Sequence, residues 1–378
     1  MRVLFTGGGT GGHLYPALAI ARALVTECPA ARPFFVGARR GIERELLPGT
    51  EFPHLLLDAH PLYRAKPWRN WRTVAGLVGG WRTLGALGRE AAPRLVVATG
   101  GYASGPTLAW AATQRVPFVL QEQNAHVGAT NRFFARWARE VYVGFPEAVH
   151  GLPSAAQDRA HDLGNPIQPP PAPGTRPSRE AARARWGFGA DVTTVVLAFG
   201  GSQGSAALNR LVAAWVAAGL PQGVGLIWGT GASHHAAHQH LGSARVMVHP
   251  YLNPIADAYA AADLAVARAG AMTTAELCAW GIPMFLVPLP TAAADHQTVN
   301  ARSLAAAGAA TWVRESEATP NDLSAFCMRL LTSPGALQDA RAATLARGRP
   351  DAARQIARRV AAFLTPAVSS GHPHADHA

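Results

Sequence analysis

Residues 2–24 read RVLFTGGGTGGHLYPALAIARAL: an apolar run, a glycine-rich loop and a helical pattern, in that order. A strand that feeds a helix through glycines lets backbone approach a ligand, and it aims the unpaired N–H groups of the first helical turn at that ligand. Gly7 and Gly12 keep the spacing of a nucleotide-hydrolase P-loop, but His13 stands where that loop needs its lysine. Gly7, Gly9 and Gly12 also satisfy G-x-G-x-x-G, the dinucleotide fingerprint, which is a weak signal by itself. A nicotinamide site wants an acidic residue at the end of the next strand to hold the ribose, whereas the segment after RPFFVG reads ARRGIE. Arg39 and Arg40 suit a 2′-phosphate, so an NADP-binding Rossmann oxidoreductase stays open at this point, as does a tight turn without a ligand.

The same succession recurs downstream in RPFFVGARRG, RLVVATGGYASGP, VPFVLQEQNA and REVYVGFPEAV. Short strands alternating with helix-length segments predict a parallel sheet covered on both faces. The pattern breaks in GNPIQPPPAPGTRPS, where six prolines between Pro166 and Pro177 predict an extended connector. A second series then runs through TTVVLAFGGSQGSAALNRLVAAW, GLIWGTG, ARVMVHPYL, ADLAVARAGAMTTAEL and IPMFLVPLP. The expected fold is α/β, with two Rossmann-like, doubly wound parallel-sheet domains facing across a cleft. Residues 1–165 form the first domain, 166–345 the second, 346–366 a C-terminal helix, and 367–378 a disordered tail with solvated histidines.

The bulk properties agree. A chain of 378 residues, 49% hydrophobic, can build two cores. No apolar stretch approaches the ~18 residues of a membrane span, and no signal-peptide-length apolar region precedes Gly7. Cys28, Cys278 and Cys327 are odd in number, widely spaced and without a C-x-x-C pair, which predicts reduced cytoplasmic thiols rather than a disulfide framework or structural zinc. The net charge is +11, and Lys66 is the only lysine. That balance suits anionic lipid headgroups or pyrophosphates, although codon usage alone also yields arginine-rich chains.

Five further segments carry the chemistry. In FGGSQGSAALN, Gly200, Gly201 and Gly204 permit close backbone approach, and Ser202 and Gln203 can donate to anionic oxygens. ATGGYASGP adds a third glycine loop over 100–105. In ARAGAMTTAEL, Thr273 and Thr274 lie near a helix start suited to a diphosphate; Glu276, one turn in, can accept from ribose hydroxyls or simply complement the helix dipole. DHQTVNA presents Asp295, Gln297 and Asn300 at helical spacing, a face fit for sugar hydroxyls or for solvent. EQNAHVGATNR places Glu122, Asn124 and Asn131 at the C-terminal edge of a parallel strand, where such sheets bind ligands. The D-x-D of metal-clamped sugar transferases does not occur.

Between Thr6 and Ala301 the stretches GGGTGGHLYPALAIA, GGYASGP, EQNAHVGATNR, GNP, FGGSQGSAALN, RAGAMTTAELCAWGIPMFLVP and DHQTVNA occur in one order. That ordered set resembles the MurG family of GT-B glycosyltransferases of peptidoglycan synthesis. The resemblance implies the GT-B fold and inverting transfer of GlcNAc from UDP-GlcNAc to the 4-hydroxyl of MurNAc. The acceptor it implies is lipid I, an undecaprenyl-diphosphate-linked MurNAc-peptide, and the product is lipid II. It implies no cofactor, no metal and no nucleic acid, a peripheral place on the cytoplasmic face of the cell membrane, and a part in cell shape and division.

Carried over by residue, Ser202 meets the diphosphate together with the helix start at Ala271, Met272 and Thr273. Glu276 takes the ribose, His296, Gln297 and Asn300 take the sugar, and Tyr251 and Leu252 surround the uracil; without a metal clamp, helix N-termini and Arg268 are expected to stabilise the leaving diphosphate. Thr10, Gly11, Gly12, Asn124 and Asn131 complete the site from the first domain. His13 is either the catalytic base or a positioning hydrogen bond, with Glu122 the next candidate for base. Two positions depart from the family. Gln121 stands where a histidine is usual, and Gln168 replaces a basic donor contact for which Arg176 is the nearby substitute.

The acceptor's lipid makes YRAKPWRNWRTVAGLVGGWRTLGAL relevant. Trp71, Val74, Val78 and Trp81 recur at helical spacing among Arg64, Lys66, Arg69, Arg72 and Arg82, which predicts an interfacial helix for an anionic membrane surface. A buried core helix is the plain alternative, and Gly79 and Gly80 weaken either helix. Among rival functions, a UDP-sugar epimerase of the same fold needs no lipid acceptor, and a non-catalytic partner of another transferase would lack one half of the site.

Overall fold

A computed structural model describes residues 1–60, 68, 70–90, 92–172, 174–201 and 203–365. In the first half the strands are β1 (Arg2–Gly7), β2 (Arg32–Ala38), β3 (His54–Leu57), β4 (Leu95–Gly100), β5 (Phe118–Glu122), β6 (Val141–Val143) and β7 (Ala160–Asp162). They form one parallel 7-stranded sheet in the order β3-β2-β1-β4-β5-β6-β7. The second half supplies β8 (Thr194–Phe199), β9 (Val224–Gly229), β10 (Val246–His249), β11 (Leu264–Ala267), β12 (Met284–Leu286) and β13 (Ala310–Trp312). These form a parallel 6-stranded sheet ordered β10-β9-β8-β11-β12-β13. Central strands such as β4, β8 and β9 are buried along their whole length, as a sheet covered on both faces requires.

The helices of the first half are α1 (Gly11–Glu27), α2 (Glu43–Leu46), α3 (Asn70–Glu90), α4 (Ser104–Thr113), α5 (Ala129–Phe134) and α6 (Ser154–Gln157). Those of the second are α7 (Arg179–Arg185), α8 (Ala206–Ala218), α9 (His235–His238), α10 (Ile255–Ala261), α11 (Ala271–Trp280), α12 (His296–Ala306), α13 (Pro320–Thr332), α14 (Ala336–Arg347) and α15 (Ala352–Ala362).

Strand order reverses between β1 and β4 in one sheet and between β8 and β11 in the other. Chains leaving the two strands at such a point diverge to opposite faces and open a crevice beyond their carboxyl ends. The loops that carry chemistry leave these strands: the first glycine loop leaves β1, GGYASGP leaves β4, FGGSQGS leaves β8, and the Arg268–Thr274 segment leaves β11.

The last helix does not stay with the second sheet. In α15 and just beyond it, Ile356, Ala357, Val360 and Leu364 are buried in the same core cluster as Leu14, Leu18 and Leu24 of α1. Full burial of a Val, Leu or Ile side chain stabilises by about 1.5–3 kcal/mol, so this packing is a substantial part of the first core. Arg359 reinforces it with a fork onto Glu140, and Arg358 pairs with Glu27. The expected tail at 367–378 lies outside the described residues.

Helix α3 runs through Gly79 and Gly80 unbroken. Leu84 and Leu87 face the core, while Trp71 and Val78 are 65% and 53% exposed and Trp81 is exposed as well. The helix therefore has both a core face and an aromatic outer face. Arg64, Lys66 and Arg69, and the side chains of Arg72 and Val74, lie outside what is described. Among the described residues, no helix is long and apolar enough to cross a membrane.

Candidate functional site

The first glycine loop does not behave as a phosphate cradle. The Gly8 N–H donates to Gly100 O at 3.3 Å, and the Gly9 N–H donates to Glu43 Oε1 at 3.0 Å. Both donors are thus used inside the protein. The donors left to face outward are at the start of α1, where Thr10 is the exposed cap and Gly11 and Gly12 open the first turn.

His13 follows them, half-buried. Its Nδ1 lies 2.9 Å from Thr99 O and 2.8 Å from Gln123 Oε1. A backbone carbonyl can only accept, so Nδ1 carries a proton, and in the neutral ring Nε2 keeps its lone pair. The ring is oriented by the end of β4 and the loop after β5, and Thr99 Oγ1 donates back to His13 O at 2.7 Å. An imidazole held by Nδ1–H with Nε2 open has the form of a general base.

Glu122 is held differently. It is 1% exposed, and its oxygens accept from Asn124 N at 3.1 Å, Gly128 N at 2.9 Å and Asn131 Nδ2 at 2.9 Å. That carboxylate orders the EQN loop. Asn131, expected to touch substrate, is itself buried; its Nδ2 also donates to Gln121 O, and its Oδ1 has no partner.

Across the cleft, α11 begins at Ala271 behind Gly270, with Met272 and Thr273 half-buried in its first turn. Thr274 turns inward and bonds Gly270 O and Ala271 O. Glu276 accepts from the Tyr259 hydroxyl at 2.7 Å. Burial pushes its carboxyl above the usual carboxylate range, and the tyrosine hydrogen bond offsets only part of that shift. Tyr259 packs on Trp280, and the Arg176 guanidinium lies 5.1 Å above that indole while donating to Pro171 O. Arg176 thus stands beside the Glu276 cluster, whereas Gln168 is exposed. Gln297 Oε1 accepts from Leu289 N at 3.0 Å, leaving its NH2 as the donor it can offer, and His296 Nδ1 bonds Ala293 O. Tyr251 is exposed, but the Leu252 side chain is in the core, so only its backbone can meet a base. Ser202 lies outside the described residues.

Two expectations in this half are corrected. Arg268 is not free for a diphosphate: Nε and Nη2 donate to Ser205 Oγ, Nη1 to Val287 O and Pro288 O, and Nη2 also to Glu315. Each of its three nitrogens is engaged, and the side chain braces the second glycine loop from within. Asn300 is 0% exposed, its polar atoms taken up within the protein rather than offered to a sugar. Its Oδ1 accepts from Ala125 N at 2.9 Å, and its Nδ2 donates to Asn124 Oδ1 at 3.2 Å and Ala269 O at 3.1 Å, so it clasps the two halves together.

A chain of amides, unread in the sequence, joins the halves as well. From His13 it passes to Gln123, whose Nε2 donates to Gln121 Oε1; Gln121 Nε2 donates to Asn165 Oδ1 at 3.1 Å, and Asn165 Nδ2 donates to Ala271 O at 3.4 Å. The EQN and GNP motifs were the available signal, since amides beside a strand end pair readily with one another.

Comparison with known proteins gives a consistent assignment. Residues 3–143 match the glycosyltransferase family 28 N-terminal domain, and residues 195–356 match the family 28 C-terminal domain. A UDP-N-acetylglucosamine–N-acetylmuramyl-(pentapeptide) pyrophosphoryl-undecaprenol N-acetylglucosamine transferase of Symbiobacterium thermophilum is 40% identical over 95% of this chain and 96% of its own. The protein of the same name from Salinibacter ruber is 39% identical over 96% of each chain. The crystal structure of Acinetobacter baumannii MurG superposes with a TM-score of 0.74 at 26% identity, covering 96% of this chain and 99% of that one.

Proposed function

The chain belongs to the MurG family of N-acetylglucosamine transferases, with the GT-B fold, and from that premise we propose how its residues carry GlcNAc from UDP-GlcNAc to lipid I to give lipid II. The observation that carries the proposal is His13, held at Nδ1 with Nε2 open and tied by amides to the first residue of α11.

In this mechanism UDP-GlcNAc lies against the second half. The first turn of α11, with Ala271, Met272 and Thr273, faces the pyrophosphate, and Ser202 supplies a hydroxyl from the second glycine loop. Glu276 accepts from the ribose, Gln297 donates to the sugar, and Tyr251 with the Leu252 backbone flanks the uracil. Lipid I enters against Thr10, Gly11 and Gly12. The MurNAc 4-hydroxyl attacks the anomeric carbon, His13 Nε2 takes its proton, and the bond to the diphosphate oxygen breaks on the opposite face with inversion. Each donor aimed at the leaving oxygen is worth on the order of 3 kcal/mol in the transition state. Incubation of the protein with labelled UDP-GlcNAc and a short-chain lipid I analogue should give the disaccharide product; an unaltered acceptor would sink the proposal.

The same reading places the protein peripherally on an anionic membrane through α3. Its support is the exposed face of Trp71, Val78 and Trp81, with Trp68 exposed just before the helix. Sedimentation with vesicles containing anionic lipid should be reduced in a Trp71→Ser, Trp81→Ser double variant. Equal sedimentation of both proteins removes α3 from the contact.

A further inference from the structure

Beneath the first glycine loop lies a carboxylate that the transfer chemistry leaves unused. Glu43, on α2, is 0% exposed. Its Oε1 accepts from Gly9 N at 3.0 Å and from Ala38 N at 3.2 Å, which ties the loop after β1 to the end of β2. Its Oε2 is buried without a hydrogen-bond partner. The surrounding backbone is cleared for it on two sides. A Cβ at Gly8 would lie 1.7 Å from Oε1, and one at Gly41 would lie 1.9 Å from Oε2.

Burying a carboxylate with one oxygen unsatisfied is costly, and an apolar side chain of similar volume would fill the same space for less. What an apolar residue cannot do is accept two backbone N–H groups at once. On the loop side the backbone that Glu43 restrains is Gly9, from which the chain passes through Thr10, Gly11 and Gly12 into His13.

Resting on the transfer reaction proposed above, we infer that Glu43 is a positioning residue: it pulls the Gly9 N–H inward and so sets the loop that presents His13 to the acceptor hydroxyl. It touches neither substrate. Its loss should therefore act on turnover and spare the donor site across the cleft.

The test compares the full chain with Glu43→Ala, Glu43→Gln and Gly41→Ala in transfer to the lipid I analogue, in calorimetric UDP binding, and in the His13 imidazole NMR signal, assigned by its loss in His13→Gln. Misplacing a reacting group by ~1 Å can cost ~100-fold, so Glu43→Ala should lower kcat at least about tenfold while UDP affinity stays within about twofold. Gly41→Ala, which acts only by displacing the carboxylate, should reproduce that loss if Glu43→Ala fails to fold. Glu43→Gln keeps an oxygen for both N–H groups and should recover kcat to within about threefold of the unaltered chain. Unchanged kcat in Gly41→Ala, a Gln variant as slow as Ala, or UDP affinity falling together with kcat would each overturn the inference. If the unaltered chain transfers nothing, the transferase mechanism fails instead. The inference is then still decided by the His13 signal, which must move in Gly41→Ala and hold in Glu43→Gln.

Discussion

The two glycine loops follow corresponding strands, β1 and β8, yet they are braced from below by opposite charges. Under the first, the Glu43 carboxylate draws the Gly9 N–H inward. Behind the second, the Arg268 guanidinium holds Ser205 Oγ, the cap of α8, which in turn accepts from Leu208 N. The Arg268 charge is met by Glu315, so its guanidinium acts on the second loop through the hydrogen bonds to Ser205. On the proposed mechanism, a repeated fold is divided into a proton-handling half and a pyrophosphate-binding half.

That division predicts separable effects, the largest at His13. A general base contributes ~100- to 10,000-fold, so His13→Ala should lower turnover at least about a hundredfold at saturating substrates with donor affinity nearly intact. His13→Gln keeps hydrogen bonding without proton transfer and should be almost as slow. If the Gln variant retained most activity, His13 would only position, and the first half would lose its proton-handling role.

Glu276 is the complementary test. Loss of a hydrogen bond to a charged acceptor costs ~1.5–3 kcal/mol, so Glu276→Ala should weaken UDP-GlcNAc binding roughly 10- to 150-fold by calorimetry, with a far smaller effect on turnover at saturating donor. Ribose hydroxyls donate to the ionised form. Because burial raises this carboxyl, donor affinity should begin to fall, as pH is lowered, above the pH at which an ordinary carboxylate protonates. Glu276→Gln should abolish that dependence. Unchanged affinity in the Ala variant would take Glu276 out of the site.

The smallest effect is expected from chelation. If helix N–H groups in the second half carry the leaving diphosphate, transfer should persist at least in part in excess EDTA. Complete loss restored specifically by manganese would replace the helix by a metal and end the comparison.

The glycine loops, the alternation of strands and helices, and the proline-rich connector were legible because each rests on local chemistry: free φ at glycine, short continuous apolar runs, no N–H at proline. What failed was everything decided by a distant partner. Gln297 and Asn300 share a helical face by spacing, yet Asn300 is claimed by Ala125 and Asn124 of the other half. Arg268 reads as a free cation because nothing near it in sequence announces Glu315 or Ser205. Glu43, in GIERELL, looks like any acid on an exposed helix, and only the packing of β2 against the first loop turns it inward. Local pattern located the crevice. Which polar groups inside it were already taken was a matter of tertiary contact.

Helix α15 gives the molecule a particular order of assembly. Its apolar face completes the core around α1, so the first-synthesised half stays unfinished until residues near 360 have left the ribosome. Until then the groove on α1 is an open apolar surface, the kind on which emerging chains mispair. A fragment ending before Ala352 would inherit that exposed groove even with its sheet intact. Helices α1 and α15 thus act as a clasp between two segments that lie far apart in sequence.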